Sequence, residues 1–452
     1  SYRVLWKGLT DGACWGWGTA RKDLCNCRGD TIVDEEKALN FLLKEADEAE
    51  IYYSNEKSNS VSIRGGEIEI YEGSNISGYG IRIIKNKQTG FVYSNILDKD
   101  TLLKAFEIAR ISEKDKHISL PERKKFSRVK GVYDEDISSL EVEDVLKFIN
   151  KLMGPCKEYN VHPASGSINW SIFKVRVLNS HGINVQEKGT ICSSYLNTVA
   201  KGQEVSTGME YTSSRNLDLD FEYIGEASSK LAKESMNANK IGNLETNLEL
   251  KPHAVSELIG SVLIPSFNAD NVLRGRSYLG DKLNKKVFSD FSIIDNGKIP
   301  NGLNTSKFDS EGSPTQKTPL INNGIVEGFL YDTYSGNKAQ TSSTGNSQRS
   351  SYSSPPQINS SNLILSGDGR IEGDGLVVNG LIGAHTSNPV SGDFSLETRN
   401  AFYQSKPVKK AMISGNVYEL FNEINGFGKD VKQTGNVITP TIEFSNVKIV
   451  GS

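Results

Sequence analysis

Glu257 carries a carboxylate within the apolar stretch around SELIGS (256–261), where a serine stands at each end and Gly260 precedes the second one. The surrounding apolar residues predict a buried helix. A lone carboxylate there is either a general base or a residue on the solvent edge of the helix. A hydrolytic base normally activates a water on a metal ion, so the available metal ligands decide between these interpretations.

The histidines do not provide such ligands by their spacing. They are His117, His162, His181, His253 and His385. No two lie within five residues of each other, whereas zinc enzymes usually present two ligands from one element. Each histidine alone therefore indicates a surface or turn residue. His385 is the most interesting, because it shares a glycine-rich polar stretch with Asp393 and such turns often line sites; ordinary turn chemistry is the alternative.

Other catalytic signatures are missing from the sequence. No G-x-x-x-x-G-K-[ST] phosphate loop and no G-x-S-x-G nucleophile elbow occurs. An odd number of irregularly spaced cysteines argues against a disulfide framework. Cys14, Cys25 and Cys27 offer a metal site without the usual paired spacing. They lie in residues 1–30, which differ in composition from the rest and indicate an atypical N-terminal extension, disordered or artefactual.

Composition limits the partners that this chain would take. Its 452 residues include 52 basic and 55 acidic ones, a net charge of −3. This balance gives no electrostatic reason to expect a nucleic acid or an anionic membrane as partner. No apolar run of 18 residues and no signal peptide pattern occurs, so we expect a cytoplasmic protein.

Hydrophobic periodicity predicts an α+β fold in two domains. Residues 31–240 form an N-terminal domain of strands flanked by helices. Its predicted helices cover 34–50, 98–114 (capped by Asp98 or Asp100), 138–154 (capped by Ser139 and ended by Gly154) and 220–238, and its predicted strands lie in 51–94 and 165–200.

The second half, residues 241–452, changes to short apolar runs separated by Gly, Asn, Ser and Pro, which predicts a β-rich domain with long loops. Within it, the Ser/Asn/Gln-rich segment 338–362 predicts a disordered or surface loop.

Several motifs in a fixed order resemble the TldD/TldE family, also called PmbA or modulator of DNA gyrase, over about nine-tenths of the chain. They are GYGIRIIKNKQTGFVYSNILDKDTLLKAFEIAR (78–110), VLNSHGI (177–183), FDSEGSPTQKTPLINNGIVEGFLYD (308–332), STGNSQRSSYSSPP (343–356), GLIGAHTSNPVSGDFS (380–395) and ISGNVYELFNEI (413–424). The resemblance implies a soluble cytoplasmic peptidase built from two paralogous subunits. TldD would carry zinc on His-Glu-x-x-x-His and a distant Cys, whereas TldE would lack these ligands and pair with it. Unfolded peptides would be held through main-chain pairing.

Placed on the family motif, SELIGS keeps Glu257 and Gly260 but has Ser256 and Ser261 at the two histidine positions. Thr434 stands where the protease paralogue has its Cys. Positions i and i+5 lie roughly 140° apart on an α-helix, so a working motif requires a local distortion, which Gly260 would permit. His253, three residues before Ser256, raises a rescue hypothesis, but one imidazole and one carboxylate do not make a catalytic zinc site.

The first hypothesis is therefore a TldE/PmbA-like subunit of the non-catalytic branch, inactive alone, with no metal of its own and zinc on a TldD-type partner. Alternatives are a stand-alone peptidase, metal-independent or using His253, Glu257 and His385 around a metal, and a homo-oligomeric peptide-binding protein. Arg349 and Tyr352 are predicted to contact substrate peptide or partner, with His385 and Asp393 at the same cavity mouth. Glu257 would be a relic or would hydrogen-bond a neighbouring chain.

Overall fold

The computed structural model describes residues 34–451. The predicted extension 1–30, with Cys14, Cys25 and Cys27, lies outside the described residues. No helix within 34–451 is long and apolar enough to cross a membrane. The fold is α+β, as the sequence predicts.

The N-terminal half is built on an antiparallel sheet in the order β3-β2-β1-β4-β5-β6. Its strands are β1 (Glu48–Arg64), β2 (Glu67–Lys85), β3 (Gln88–Ser94), β4 (His162–Asn179), β5 (Asn184–Lys201) and β6 (Val205–Ser214). Two apolar clusters attach helices to this sheet, one under α1 and α2 and the other under α3 to α6. The helices are α1 (Glu35–Leu42), α2 (Lys99–Ile111), α3 (Glu135–Ser138), α4 (Val142–Met153), α5 (Pro155–Glu158) and α6 (Phe221–Glu234).

The predicted helices exist, but their bounds differ. The helices predicted for 98–114 and 220–238 span Lys99–Ile111 and Phe221–Glu234. The helix predicted for 34–50 ends at Leu42, because residues from Glu48 onward belong to β1, which pairs on both sides. The helix predicted for 138–154 begins only at Val142, and its N-cap is Glu141 rather than Ser139. Asp98 caps α2 through a 2.7 Å bond from the Thr101 amide, as expected for this residue type.

The C-terminal half contains two larger sheets around one apolar core. The first has the order β11-β10-β9-β14-β21-β20, with β9 (Phe291–Asn296), β10 (Lys317–Asn322), β11 (Ile325–Val326), β14 (Leu363–Gly367), β20 (Lys432–Thr434) and β21 (Val437–Thr439). The second has the order β15-β8-β22-β18-β16-β17-β7, with β19 beside β22. Its strands are β7 (Asn239–Lys240), β8 (Leu244–Leu250), β15 (Leu376–Ile382), β16 (Asp393–Tyr403), β17 (Lys406–Lys409), β18 (Met412–Asn416), β19 (Ile424–Phe427) and β22 (Ile442–Val450). Because β15 also pairs with β16, five of these strands close into a ring.

Short helices and one small ribbon complete this half. They are α7 (Pro252–Leu258), α8 (Ala269–Leu273), α9 (Thr333–Ala339), α10 (Val417–Leu420) and the ribbon of β12 (Ser347–Gln348) with β13 (Gln357–Ile358).

The prediction of a disordered or surface loop at 338–362 is wrong for residues 345–347 and 360–362, which are buried, whereas the rest of the segment is exposed or half-buried. Asn346 and Ser361 in this segment are buried, and both donate to the buried carboxylate of Asp295 on β9. In these two buried stretches the polar composition reflects buried hydrogen bonding, because buried polar groups need partners.

Candidate functional site

The SELIGS segment lies on α7, which starts at Pro252 and ends at Leu258. A π-helical turn follows over Ile259–Leu263, in which the amide of Ile264 bonds to the carbonyl of Ile259. The apolar side chains of both elements are almost fully buried. The local distortion that the motif spacing requires is therefore present. Gly260 is not required for it on steric grounds, because a Cβ there would meet no atom within 4 Å.

Glu257 is bound by its own chain. Its Oε1 accepts a bond of 2.9 Å from Arg399 Nη2 on β16, and its Oε2 accepts one of 2.6 Å from the Leu381 amide on β15. The side chain is 24% exposed, so it is neither on an open solvent edge nor free. The carboxylate thus fastens α7 to the strand ring.

The three positions that the family resemblance aligns with metal ligands all carry hydroxyls. Ser256 is buried and its Oγ has no hydrogen-bond partner among the described residues. Ser261 is half-buried in the π turn. Thr434 lies on β20 beside α7, with its Oγ1 3.3 Å from Nδ1 of His253. The distant Thr434 and the helix are therefore neighbours in space.

His253 belongs to a cluster that includes a residue from the N-terminal sheet. Its Nε2 lies 2.8 Å from Oε1 of Glu210 on β6 and 3.2 Å from Nζ of Lys432 on β20. Lys432 also forms an ion pair with Glu210. Burial raises the pKa of Glu210, but the hydrogen bonds and charges of His253 and Lys432 outweigh burial and lower that pKa below its ordinary value. Tyr211 packs its ring 4.1 Å from the imidazole, centre to centre.

The proposed combination of His253, Glu257 and His385 around a metal does not form. His253 is held by Glu210 and Lys432, and Glu257 is held by Arg399. Within residues 34–451, no group of three or more His, Cys, Asp or Glu side chains is placed to hold a metal ion.

His385 lies on the loop between β15 and β16, and Asp393 is the first residue of β16; both side chains are exposed. His385 is in a 3-10 turn, Ala384–Thr386. Asp393 accepts bonds from Ser391 Oγ (2.6 Å) and Asn416 Nδ2 (2.9 Å), and these bonds lower its pKa. Asp393 thus stabilises the local turn, as the alternative interpretation expects. A contact of His385 and Asp393 with peptide or partner stays a prediction.

Arg349 does not lie on the surface, where a peptide or partner contact was predicted. Its side chain is fully buried and forms an ion pair with Glu50 on β1. The guanidinium lies 4.6 Å from the ring centre of Tyr52. A peptide or partner would therefore not meet Arg349 as a free surface cation.

A cavity of about 200 Å³ lies beside Arg349 at the junction of the two halves, with Tyr52, Arg215, Glu187 and Ser347 also in its wall. Its size would suit a side chain or a small molecule rather than a folded segment. The predicted peptide contact at Arg349 remains a prediction.

Tyr352 anchors the same segment to the N-terminal sheet. Its hydroxyl donates a 2.8 Å bond to Oδ1 of Asn95. Its ring covers Gly78 on β2 so closely that a Cβ at Gly78 would lie 2.5 Å from it. The residue is half-buried, so part of it stays accessible.

Sequence reasoning missed a buried charge network between the halves. Arg82 on β2 donates to Glu50 at 2.8 Å and to Glu311 at 3.0 Å. Burial lowers the pKa of Arg82, but the two carboxylates outweigh burial and raise it above its ordinary value. Burial and the neighbouring Glu311 raise the pKa of Asp309. The acidic pair in FDSEGSP was a signal for this network, because two acids in one turn inside an apolar frame need buried partners.

Comparison with known proteins gives the family. Models of the PmbA/TldA metallopeptidase domain 1, central domain and C-terminal domain match residues 49–112, 94–236 and 245–451. An uncharacterised protein of Methanocaldococcus jannaschii is 32% identical over 420 residues, which cover 91% of this chain and 99% of that protein. The chain belongs to the PmbA/TldD metallopeptidase family.

Two further members of the PmbA/TldD family give the same match over nearly the whole length. The metalloprotease PmbA of Escherichia coli is 24% identical over 450 residues, covering 92% of this chain and 94% of that protein. The crystal structure of TldE from Thermococcus kodakarensis superposes with a TM-score of 0.84 at 30% identity, covering 92% of this chain and 100% of that one.

The residues at the motif do not fit the zinc ion that PmbA/TldD metallopeptidases imply. Zinc in proteins takes Cys, His and carboxylate ligands, and aliphatic hydroxyls are poor substitutes. Hydroxyls of Ser256, Ser261 and Thr434 stand at the positions that the resemblance aligns with zinc ligands, and Glu257 is bound to Arg399.

Proposed function

We propose that this chain is the non-catalytic, TldE-type subunit of a two-component cytoplasmic metallopeptidase that processes unfolded peptides. A TldD-type partner would supply the zinc and the peptidase chemistry, and this chain would complete the peptide channel. The observation that supports the proposal is α7 with its π turn, together with hydroxyls at all three positions that the resemblance aligns with zinc ligands. The solved TldE relative supports the same assignment.

The surface also supports a role in association. On β2, the large apolar side chains of Ile68, Tyr71 and Ile76 are 44%, 53% and 58% exposed in this structure. Ile68 and Tyr71 lie opposite Ile63 and Val61 on one face of the sheet, whereas Ile76 lies opposite Glu56 on the other face. These residues therefore offer separate points of contact on β2 to another chain and do not form one continuous patch. Association with a paralogue, or with a second copy of this chain, would cover these side chains.

The test is to assay cleavage of an unfolded peptide by this chain alone, by a TldD-type protein alone and by the mixture. We expect no cleavage by this chain, and chelator-sensitive cleavage by the mixture above that of the partner alone. Substituting a motif histidine of the partner should abolish all activity. Chelator-sensitive cleavage by this chain alone would refute the proposal.

Size measurement separates hetero- from self-association. A complex that forms only in the mixture supports the proposal, whereas a stable homo-oligomer that ignores the partner favours a homo-oligomeric peptide-binding protein. Tyr71→Glu should weaken the complex, and Leu283→Glu, at a similarly exposed apolar residue outside β2, is the matched control.

A further inference from the structure

The cavity at the junction of the two halves has hydrogen-bond donors to spare in its wall. The wall holds the buried guanidinium groups of Arg215 and Arg349 and the buried hydroxyl of Ser347. Among the described residues, neither Oγ of Ser347 nor Nε of Arg349 has a hydrogen-bond partner. Because buried polar groups are normally paired, these donors indicate a site for an acceptor.

Arg215, which directly follows β6, is the strongest of these donors. It is 6% exposed, and its Nε, Nη1 and Nη2 donate to the carbonyls of Leu303, Thr190 and Thr305 at 2.9, 3.3 and 3.3 Å. A guanidinium has five N–H groups, so two of them remain. Burial lowers the pKa of Arg215 to about 10, and the charge of Glu187 offsets burial only in part. Within residues 34–451, this arginine forms no ion pair with a carboxylate.

The two acidic side chains in the same wall are already bound by the chain. Glu187 accepts from the hydroxyl of Ser306 at 2.6 Å and from the amide of Lys307 at 3.2 Å. Asp309 accepts from three backbone amides, two in its own turn and one on β12. The wall groups that lack partners are therefore donors, and a guanidinium without a carboxylate favours an anionic acceptor.

Apolar side chains line another part of this cavity. Phe173 and Val175 reach it from β4, and Phe308 reaches it from the Asp-x-Glu-Gly segment. The ring centre of Phe173 lies 4.9 Å from the guanidinium carbon of Arg215. The cavity volume of about 200 Å³ is of the order of an apolar cavity that holds one benzene molecule. Both the size and the lining therefore suit a small molecule with one apolar body and one anionic end.

We propose that this cavity binds a small carboxylate of about the size of benzoate. The carboxylate accepts from the remaining N–H groups of Arg215 and from the hydroxyl of Ser347, and the apolar body lies against Phe173 and Phe308. The ligand then contacts both halves of the molecule, so it stabilises their junction. This inference concerns the chain alone and does not rest on the proposed function.

Benzoate is the probe for this site. Benzamide is its uncharged counterpart of similar size, and inorganic phosphate is an anion without an apolar body. Binding to the full chain is measured by titration calorimetry, with the rise in Tm as a second readout. We expect one saturable site for benzoate and at least about tenfold weaker binding of benzamide and phosphate, because a bond to a charged group is the stronger one and phosphate leaves the apolar wall uncovered. Absence of saturable benzoate binding overturns the proposal, as does benzamide or phosphate binding as tightly as benzoate.

Two variants test whether benzoate occupies this cavity. Ser347→Ala removes a hydroxyl without a partner, so the fold should persist while the affinity for benzoate falls about tenfold. Val175→Phe fills the cavity and should abolish binding. Ser194→Ala, the matched control, removes an equally buried and unpartnered hydroxyl on β5 outside the cavity wall and should bind benzoate like wild type. Unchanged affinity in either folded cavity variant, or an equal loss in Ser194→Ala, overturns the proposal.

Discussion

Glu50 and Arg349 are 299 residues apart in the chain, and their side chains form an ion pair that is entirely buried. Glu50 lies on β1, while Arg349 follows β12 in the Thr-Gly-Asn segment. Arg82 extends the pair to Glu311 in the Asp-x-Glu-Gly motif. Three of the segments that carry the family resemblance, 78–110, 308–332 and 343–356, therefore join the halves of the molecule through buried charges.

Glu50→Gln should destabilise the protein strongly. The substitution leaves Arg349 buried without its carboxylate, and breaking a buried pair by removing one partner typically costs about 3–5 kcal/mol. Chemical denaturation would measure the loss as a lower free energy of unfolding. Glu204→Gln, which breaks the more exposed pair with Lys409, is the control and should change little. Equal effects of the two substitutions would contradict a structural role for the network.

Asp295 should make stability fall as the pH rises. Burial raises its pKa to about 6, against hydrogen bonds from Asn346 and Ser361 that lower it. Between about pH 4 and pH 6 the folded state therefore keeps a proton that the unfolded state has released. The stabilisation from protonated Asp295 is complete below about pH 4 and is lost as the pH rises through about 6. The difference in unfolding free energy between wild type and Asp295→Asn should shrink by roughly 3 kcal/mol from pH 4 to pH 7. A constant difference would exclude this titration; Asp290→Asn, just before the same strand, should keep the wild-type profile.

Glu257→Gln should affect stability and not chemistry. The amide oxygen can still accept from Leu381, but the charge opposite Arg399 is lost, at a cost of roughly 1–2 kcal/mol. Thermal unfolding of this chain gives the first readout. Peptide cleavage by the mixture with a TldD-type partner gives the second, and we expect it to be unchanged wherever the variant is folded. A large fall in cleavage at full complex formation would return Glu257 to a catalytic role.

Gly78→Ala should displace the segment that carries Tyr352. A methyl group there would lie 2.5 Å from the tyrosine ring, and overpacking of this kind costs about 1–3 kcal/mol. In a Tyr352→Ala background the methyl group has room, so the cost of Gly78→Ala should largely disappear. A double-mutant cycle measures this coupling. Additive effects would show that the ring does not press on Gly78.

Local chemistry made part of this fold predictable. Helix α2 could be predicted because its cap, Asp98, and its apolar period lie within one short window. The buried SELIGS helix followed from an apolar run, whereas a distortion was expected only of a working zinc motif, through the family resemblance. The end of α1 could not be predicted, because residues from Glu48 onward join a sheet whose partner strand β4 begins at His162.

The candidate site was less predictable for a similar reason. Composition predicted that 338–362 is exposed to solvent. The side chain of Arg349 is nevertheless buried, because it pairs with Glu50 on β1, which is distant in sequence. Only the family resemblance predicted that Thr434 lies near α7, and nothing in the sequence predicted that Glu210 and Lys432 lie there too. Those two residues meet His253 across three separate elements, and no window of sequence contains that contact.

The π turn at Ile259–Leu263 persists here beside residues that do not suit a metal. Its hydrogen bond is made by the backbone, and Ile259, Val262 and Leu263 are buried against the core. The widened turn is therefore stabilised by the packing of these side chains and does not depend on metal coordination. Replacing metal-binding side chains would leave this backbone intact. Few substitutions would therefore separate a chain without a zinc site from a related chain that can bind zinc.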